Sequence, residues 1–148
     1  MFRILVMNGP NLDLLGVREP GVYGHGTLED LEAMVAVRAA ELGVEVAFFQ
    51  SNHEGALIDR LHAAMGESDG VVFNPAAYTH YSYALRDAIA ATGLPVIEVH
   101  LSDIGAREPF RAVSVTAPVC LAQVAGLGFD SYTAGLETLV SHLTKERS

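Results

Sequence analysis

The sequence is poor in several residue types, and each shortage excludes a kind of protein or mechanism. Its 148 residues contain no tryptophan and a single cysteine, Cys120. One cysteine cannot form an internal disulfide, which favours a reducing, cytoplasmic setting. Because Cys120 lies in the apolar run PVCLAQVAG, we expect a packed thiol rather than a nucleophile. The single lysine, Lys145, lies in the C-terminal tail, which disfavours a Schiff-base mechanism because that chemistry needs a desolvated amine.

Positive charge is also scarce. Nine Lys and Arg residues face 18 Asp and Glu residues, and the net charge is −9. This balance argues against nucleic acid or an anionic membrane as a partner. The apolar stretches are strand-sized, so the sequence predicts no transmembrane span, and its first residues lack a signal-peptide pattern.

Nucleotide-binding motifs are missing as well. Neither GxxxxGKS/T nor a GxGxxG that opens a helix occurs in the sequence. A flavin or nucleotide site would need a phosphate-cradling loop of this kind. A flavodoxin-like redox protein is therefore a disfavoured alternative.

The sequence does contain a regular alternation of strand-like and helix-like segments. This alternation predicts an α/β fold with a parallel sheet and helices on both faces. Five strands in one domain, residues 1–148, favour a flavodoxin-like three-layer sandwich. The predicted strands are 2–7, 44–50, 70–75, 95–100 and 119–126, and the predicted helices are 27–43, 54–67, 79–93 and 129–143. Thr27 with Asp30 resembles a capping box at the start of the first helix, and Gly43 is expected to end it.

Ligands of such sheets bind beyond the carboxyl ends of the strands. In the long loop after the first strand, Arg18 and Tyr23 lie five residues apart. A neighbouring positive charge lowers the pKa of a tyrosine, which is ordinarily about 10, and the resulting phenolate is a base able to take a carbon-bound proton. The alternative is an incidental pair on a surface loop.

The fourth predicted strand ends in the sequence EVH. Residues i and i+2 of a strand point to the same side, so Glu98 is expected beside His100. A carboxylate that binds one ring nitrogen fixes the tautomer, which makes the histidine an oriented general acid or base. A purely structural pair remains open, as does a metal site with His80 as a further ligand, which is disfavoured because no recognised ligand spacing appears.

Polar residues also follow the third and fourth strands. Asn74 and His80 flank the start of the third helix and could bind a polyhydroxylated ligand, although turn and cap chemistry explains such residues equally well. Ser102, with Arg107 and Arg111, could hold a carboxylate. The alternative for these arginines is ordinary solvated charge.

Four segments together resemble type II 3-dehydroquinate dehydratase. They are NGPNLDLLGVREPGVYG, QSNHEG, NPAAYTHYSYALRDA and EVHLSDIGAREPFR, at residues 8–24, 50–55, 74–88 and 98–111. The resemblance covers essentially the whole chain. It implies a flavodoxin-like fold and the reversible loss of water from 3-dehydroquinate to give 3-dehydroshikimate, without cofactor or metal, in the shikimate pathway or in quinate breakdown.

The same resemblance implies a role for individual residues. Tyr23 would remove the C2 proton with Arg18 keeping the phenol acidic, Asn11 would support the enolate through a bound water, and His100, oriented by Glu98, would protonate the departing hydroxyl. Substrate-binding roles would fall to Asn74, His80, Asp87, Leu101, Ser102, Arg107 and Arg111. Asp87 would reach the site of a neighbouring subunit in a trimer, and four trimers would form a dodecamer.

Two positions depart from the family pattern, since Asp103 and Gly105 stand where Asn and His or Tyr are usual. A carboxylate at 103 that points inward is expected to weaken the binding of an anion. A homologue of altered specificity, or one that binds a cyclic polyol carboxylate without turning it over, is therefore the alternative to the lyase.

Overall fold

The computed structural model describes residues 1–17, 26–106 and 108–147 of the chain. Arg18, Tyr23 and Arg107 therefore lie outside the described residues. The strands are β1 Arg3–Asn8, β2 Glu45–Gln50, β3 Gly70–Asn74, β4 Val96–His100 and β5 Ala122–Ala125. The described α-helices are α1 Leu28–Leu42, α2 Glu54–Glu67, α3 Tyr83–Thr92 and α4 Asp130–Arg147.

The five strands form one sheet in the order β2-β1-β3-β4-β5, and every neighbouring pair is parallel. The central strands are buried on both faces, which explains their nearly continuous apolar sequences. Because the chain reverses its winding direction after β2, helices cover both faces of the sheet. The flavodoxin-like prediction is confirmed.

A separate apolar core lies on each face of the sheet. Helices α1 and α4 pack on one face, where Ile4, Val72 and Ile97 contact Leu136 and other buried residues. Helices α2 and α3 pack on the other face. They cover the strand side chains that alternate along the sequence with those of the first face. Close approach of α4 depends on Gly135, since a Cβ there would lie 2.7 Å from Val99 Cγ1. The carboxyl ends of all five strands lie at the same edge of the sheet.

Two predicted boundaries differ from the structure for local reasons. The third helix begins at Tyr83 rather than near Thr79, because the Ser82 side chain accepts the Leu85 N–H as the N-cap. A separate 3₁₀ turn covers Ala76–His80. Strand β5 begins at Ala122 rather than at 119, because the segment before it forms a 3₁₀ turn that contains Pro118.

Several local predictions are confirmed. Thr27 and Asp30 form the expected capping box, and Gly43 ends α1 in the left-handed region at φ 73°. Cys120 packs against the α2–α3 core, and burial raises the pKa of its thiol to about 12, so it is a poor nucleophile. In the described ranges, no helix is both long and apolar enough to cross a membrane.

Candidate active site

A pocket opens at the carboxyl edge of the sheet, above β1, β3 and β4. It is bordered by the loop after β1, the 3₁₀ turn after β3 and the segment after β4. Seven of the residues singled out from the sequence line this pocket: Asn11, Asn74, His80, His100, Leu101, Ser102 and Arg111. Residues up to 100 positions apart in the chain thus meet because parallel strands end at a common edge.

The loop after β1 is held in an unusual conformation. Asn11 has a left-handed backbone with φ 69°, and its N–H donates to Asn52 Oδ1 at 2.9 Å. Gln50 donates to the same oxygen at 3.1 Å and to the Gly9 carbonyl at 3.1 Å. A Cβ at Gly9 would lie 2.5 Å from the Pro75 carbonyl oxygen. Glycine therefore lets the loops after β1 and β3 touch beneath the pocket.

His100 lies at the end of β4 with its ring bound to a buried carboxylate. Its Nε2 is 2.9 Å from Glu98 Oε2, and the two residues are 5% and 0% exposed. The predicted i, i+2 geometry on a strand is therefore present. Because a carboxylate can only accept, Nε2 carries the proton, and Nδ1 is the ring nitrogen left to exchange a proton with a ligand.

The Glu98 carboxylate is surrounded by donors. Burial raises the pKa of Glu98, but the hydrogen bond and charge of His100, with hydrogen bonds from Thr116 and Gln123, outweigh burial and lower it to about 2. The side-chain donors are His100 Nε2, Thr116 Oγ1, Ser114 Oγ at 2.8 Å and Gln123 Nε2 at 2.7 Å. Glu98 is therefore ionised at neutral pH and holds the imidazole in one orientation.

The other pocket histidine is oriented by the backbone. His80 Nδ1 lies 2.8 Å from the Val113 carbonyl. Because this carbonyl can only accept, Nδ1 carries the proton and Nε2 is the acceptor of the neutral ring. Arg111 lies 4.7 Å from the Phe110 ring centroid and supplies the pocket with positive charge. Within the described ranges, no three His, Cys, Asp or Glu side chains are arranged to hold a metal ion.

Asn74 presents an amide to the pocket from the end of β3. Its Oδ1 accepts the Ala76 N–H at 2.9 Å, and its Nδ2 donates to Tyr132 Oη at 2.9 Å. Ala76 has a positive φ of 55°, a conformation that non-glycine residues adopt at some cost. The turn after β3 is thus bent around the Asn74 side chain.

Two acidic residues lie apart from the pocket wall. Asp87 is exposed on α3, as a contact with a neighbouring chain would require. Asp103 Oδ1 accepts the Gly105 N–H at 3.0 Å. The carboxylate at 103 therefore closes its own turn, and the adjacent Gly105 supplies the N–H for that turn.

Sequence reasoning missed the residues that support the pocket from below. They are Ser114, Thr116, Gln123 and Tyr132. Gln123 is exposed on the edge strand β5, so its amide needs no buried partner, and no signal in the sequence indicated its contact with Glu98. For Ser114 and Thr116, which precede β5 in an irregular segment, no pattern in the sequence indicated a contact with Glu98.

The fold and the pocket define a flavodoxin-like α/β protein with an oriented histidine at the carboxyl edge of its sheet. The family model described as dehydroquinase class II matches residues 2–140. The 3-dehydroquinate dehydratase of Desulforudis audaxviator is 57% identical over 143 residues, which cover 97% of this chain and 95% of that protein. The chain belongs to the class II dehydroquinase family.

Solved structures agree with this assignment. The type II dehydroquinase from Butyrivibrio crossotus superposes with a TM-score of 0.92 at 47% identity, over 93% of this chain and 97% of that one. The type II dehydroquinase from Propionibacterium acnes also has a TM-score of 0.92, at 42% identity, over 95% and 97% of the two chains. The expected family is confirmed.

Proposed function

We propose that this protein is a hydro-lyase that converts 3-dehydroquinate reversibly to 3-dehydroshikimate through an enolate. Membership of the class II dehydroquinase family supports the reaction. The observation that carries the proposal is the Glu98–His100 pair on the pocket wall. A protein that only binds a cyclic polyol carboxylate has little use for an imidazole held in one tautomer by a buried anion, which disfavours the non-catalytic alternative.

In the proposed mechanism, proton removal comes first. The Tyr23 phenolate, kept ionised by Arg18, takes the C2 proton of the substrate, and the electron pair moves onto the C3 carbonyl oxygen to form an enolate. Asn11 supports this oxygen through a bound water. The enolate then collapses, the bond from C1 to its hydroxyl breaks, and His100 delivers a proton from Nδ1 so that water leaves.

Glu98 acts throughout as the counter-charge of His100. An imidazolium that donates from Nδ1 keeps its Nε2–H bond to Glu98 before and after the transfer. The substrate carboxylate and hydroxyls are assigned to Asn74, His80, Arg111, Arg107 and the backbone amides of Leu101 and Ser102. Solvent restores the protonation states of Tyr23 and His100 after the water leaves.

The activity is tested by mixing the protein with 3-dehydroquinate and following ultraviolet absorbance, because dehydration forms a conjugated enone. Tyr23→Phe is expected to lower kcat by about 10²- to 10⁴-fold with little change in binding, since proton removal loses its base. The matched control is Tyr83→Phe, which changes a tyrosine that is 65% exposed. A Tyr23→Phe enzyme that kept most of its rate would exclude Tyr23 as the base.

The assembly is part of the proposal. Four trimers form a dodecamer, and the exposed carboxylate of Asp87 reaches the site of a neighbouring chain. The cytoplasmic location rests on the single cysteine. Light scattering that returned the mass of one chain would contradict the assembly.

A further inference from the structure

A buried tyrosine on α4 connects the ends of β1 and β3 beneath the pocket by hydrogen bonds. Tyr132 lies in the first turn of α4 and is 0% exposed. Its Oη lies 2.5 Å from Asn8 Oδ1 and 2.9 Å from Asn74 Nδ2. Asn8 and Asn74 are register partners on β1 and β3. One phenol oxygen therefore bridges the carboxyl ends of the two central strands.

The direction of each hydrogen bond follows from a backbone donor. The Ala76 N–H can only donate, and it lies 2.9 Å from Asn74 Oδ1. The amide nitrogen of Asn74 must then face Tyr132, whose oxygen accepts. The single phenol proton is left for Asn8 Oδ1. The three bonds form a chain in one direction, from Ala76 through Asn74 and Tyr132 to Asn8.

This direction of hydrogen bonding leaves one buried donor of Asn8 unpaired within the described part of the chain. Its Nδ2 is buried and has no hydrogen-bond partner among the described residues. Turning the Asn8 amide over would pair that nitrogen with the phenol oxygen, but the phenol proton would then lose its acceptor. Burial also raises the pKa of Tyr132 far above its usual range, so the proton stays on the phenol.

We infer that Tyr132 is a positioning residue that anchors the Asn74 NH₂ group, whose side of the amide the Ala76 N–H already sets, so that this group is held available to the pocket. One Nδ2 hydrogen is used by Tyr132, and the second can bind a ligand. Asn74 therefore presents a free donor hydrogen to the pocket, which favours an acceptor such as a carboxylate oxygen. Reading this as substrate binding rests on the function proposed above.

The kinetic test is Tyr132→Phe, which removes one oxygen and keeps the ring. Without the phenol, the Asn74 NH₂ group loses its anchor although the Ala76 N–H still holds Oδ1, and the donor to a charged acceptor is no longer held in position. KM for 3-dehydroquinate is expected to rise about tenfold, with kcat within about twofold of the parent, because this contact is made equally in the ground state and the transition state. Leu139→Val is the control for stability, since Leu139 is buried on the same helix and its side chain lies against Gly70, near the start of β3. An equal rise of KM in both variants, or no rise in Tyr132→Phe, would overturn the assignment.

A second measurement does not depend on turnover. The side-chain NH₂ signals of Asn74, identified by their loss in Asn74→Asp, are expected to exchange slowly with solvent in the parent and faster in Tyr132→Phe. Unchanged exchange would overturn the role of Tyr132 even if the parent turned over no dehydroquinate, and a parent without turnover but with the expected exchange would count against the proposed function alone. If Tyr132→Phe does not fold, Asn8→Leu leaves the phenol proton without its acceptor and the phenol less firmly held, and a smaller change in the same direction is expected.

Discussion

Two buried polar networks lie beneath the pocket on opposite faces of the sheet, and they are built differently. On the α2–α3 face, several donors converge on the one charged group, Glu98. On the α1–α4 face, neutral groups are linked in series through Tyr132. A buried charge needs surplus donors to remain ionised, whereas a neutral chain needs only a consistent direction. The first network therefore tolerates the loss of one donor, but the second does not tolerate the loss of a link.

The two networks also orient different chemistry. In the proposed function, the charged network holds His100 in the tautomer that the acid–base step needs, and the neutral network holds Asn74 as the donor to the substrate carboxylate. The first is expected to govern kcat and the second KM. Variants that remove the charge or delete one donor, and unfolding measured as a function of pH, test this difference between the networks.

Among the variants of the two networks, the largest effect is expected from Glu98→Gln. The variant removes the anion but keeps the volume, so the imidazole loses both its counter-charge and its fixed tautomer. Loss of a residue that orients a catalytic histidine costs about 10- to 100-fold in activity, and we expect the upper end in kcat with KM nearly unchanged. Steady-state kinetics test this, with Glu41→Gln, an exposed change on α1, as the control. A kcat within twofold of the parent would show that the buried charge is not needed.

The two networks are expected to lose their contributions to stability at opposite ends of the pH scale. The pKa of Glu98 is lowered from 4.5 to about 2, so its contribution, about 3 kcal/mol, is complete above pH 4.5 and is lost as the pH falls toward 2. The pKa of Tyr132 is raised above 10.0, so its contribution is complete below pH 10.0 and is lost as the pH rises further.

Urea unfolding across this pH range measures the effect. The difference in the free energy of unfolding between the parent and Glu98→Gln is expected to shrink only in acid. The difference between the parent and Tyr132→Phe is expected to shrink only in alkali. Parallel curves at both ends of the range would contradict the assigned ionisation states.

The smallest effect is expected from Gln123→Met, which removes one of the donors to Glu98. The remaining hydroxyl donors and His100 still hold the carboxylate, so kcat is expected to fall only about two- to fivefold. This loss should be much smaller than that of Glu98→Gln. A loss as large as that of Glu98→Gln would mean that the donors act in series after all.

Much of the fold and part of the site were predictable from local patterns. Alternating segments predicted the parallel sheet, and Thr27 with Asp30 predicted the start of α1. The two-residue spacing predicted Glu98 beside His100. These features depend on residues two or three positions apart, or on a sheet rule that every parallel strand obeys.

Local patterns in the sequence therefore specify the order of the elements, the side of the sheet to which each strand residue points and the edge at which the candidate site residues meet. The residues that support these site residues become visible only in the folded chain. Thr116 is 18 residues from Glu98, and Tyr132 is 124 residues from Asn8. Such pairs carry no local pattern, because their hydrogen bonds exist only after α4 and the segment before β5 have packed on the sheet.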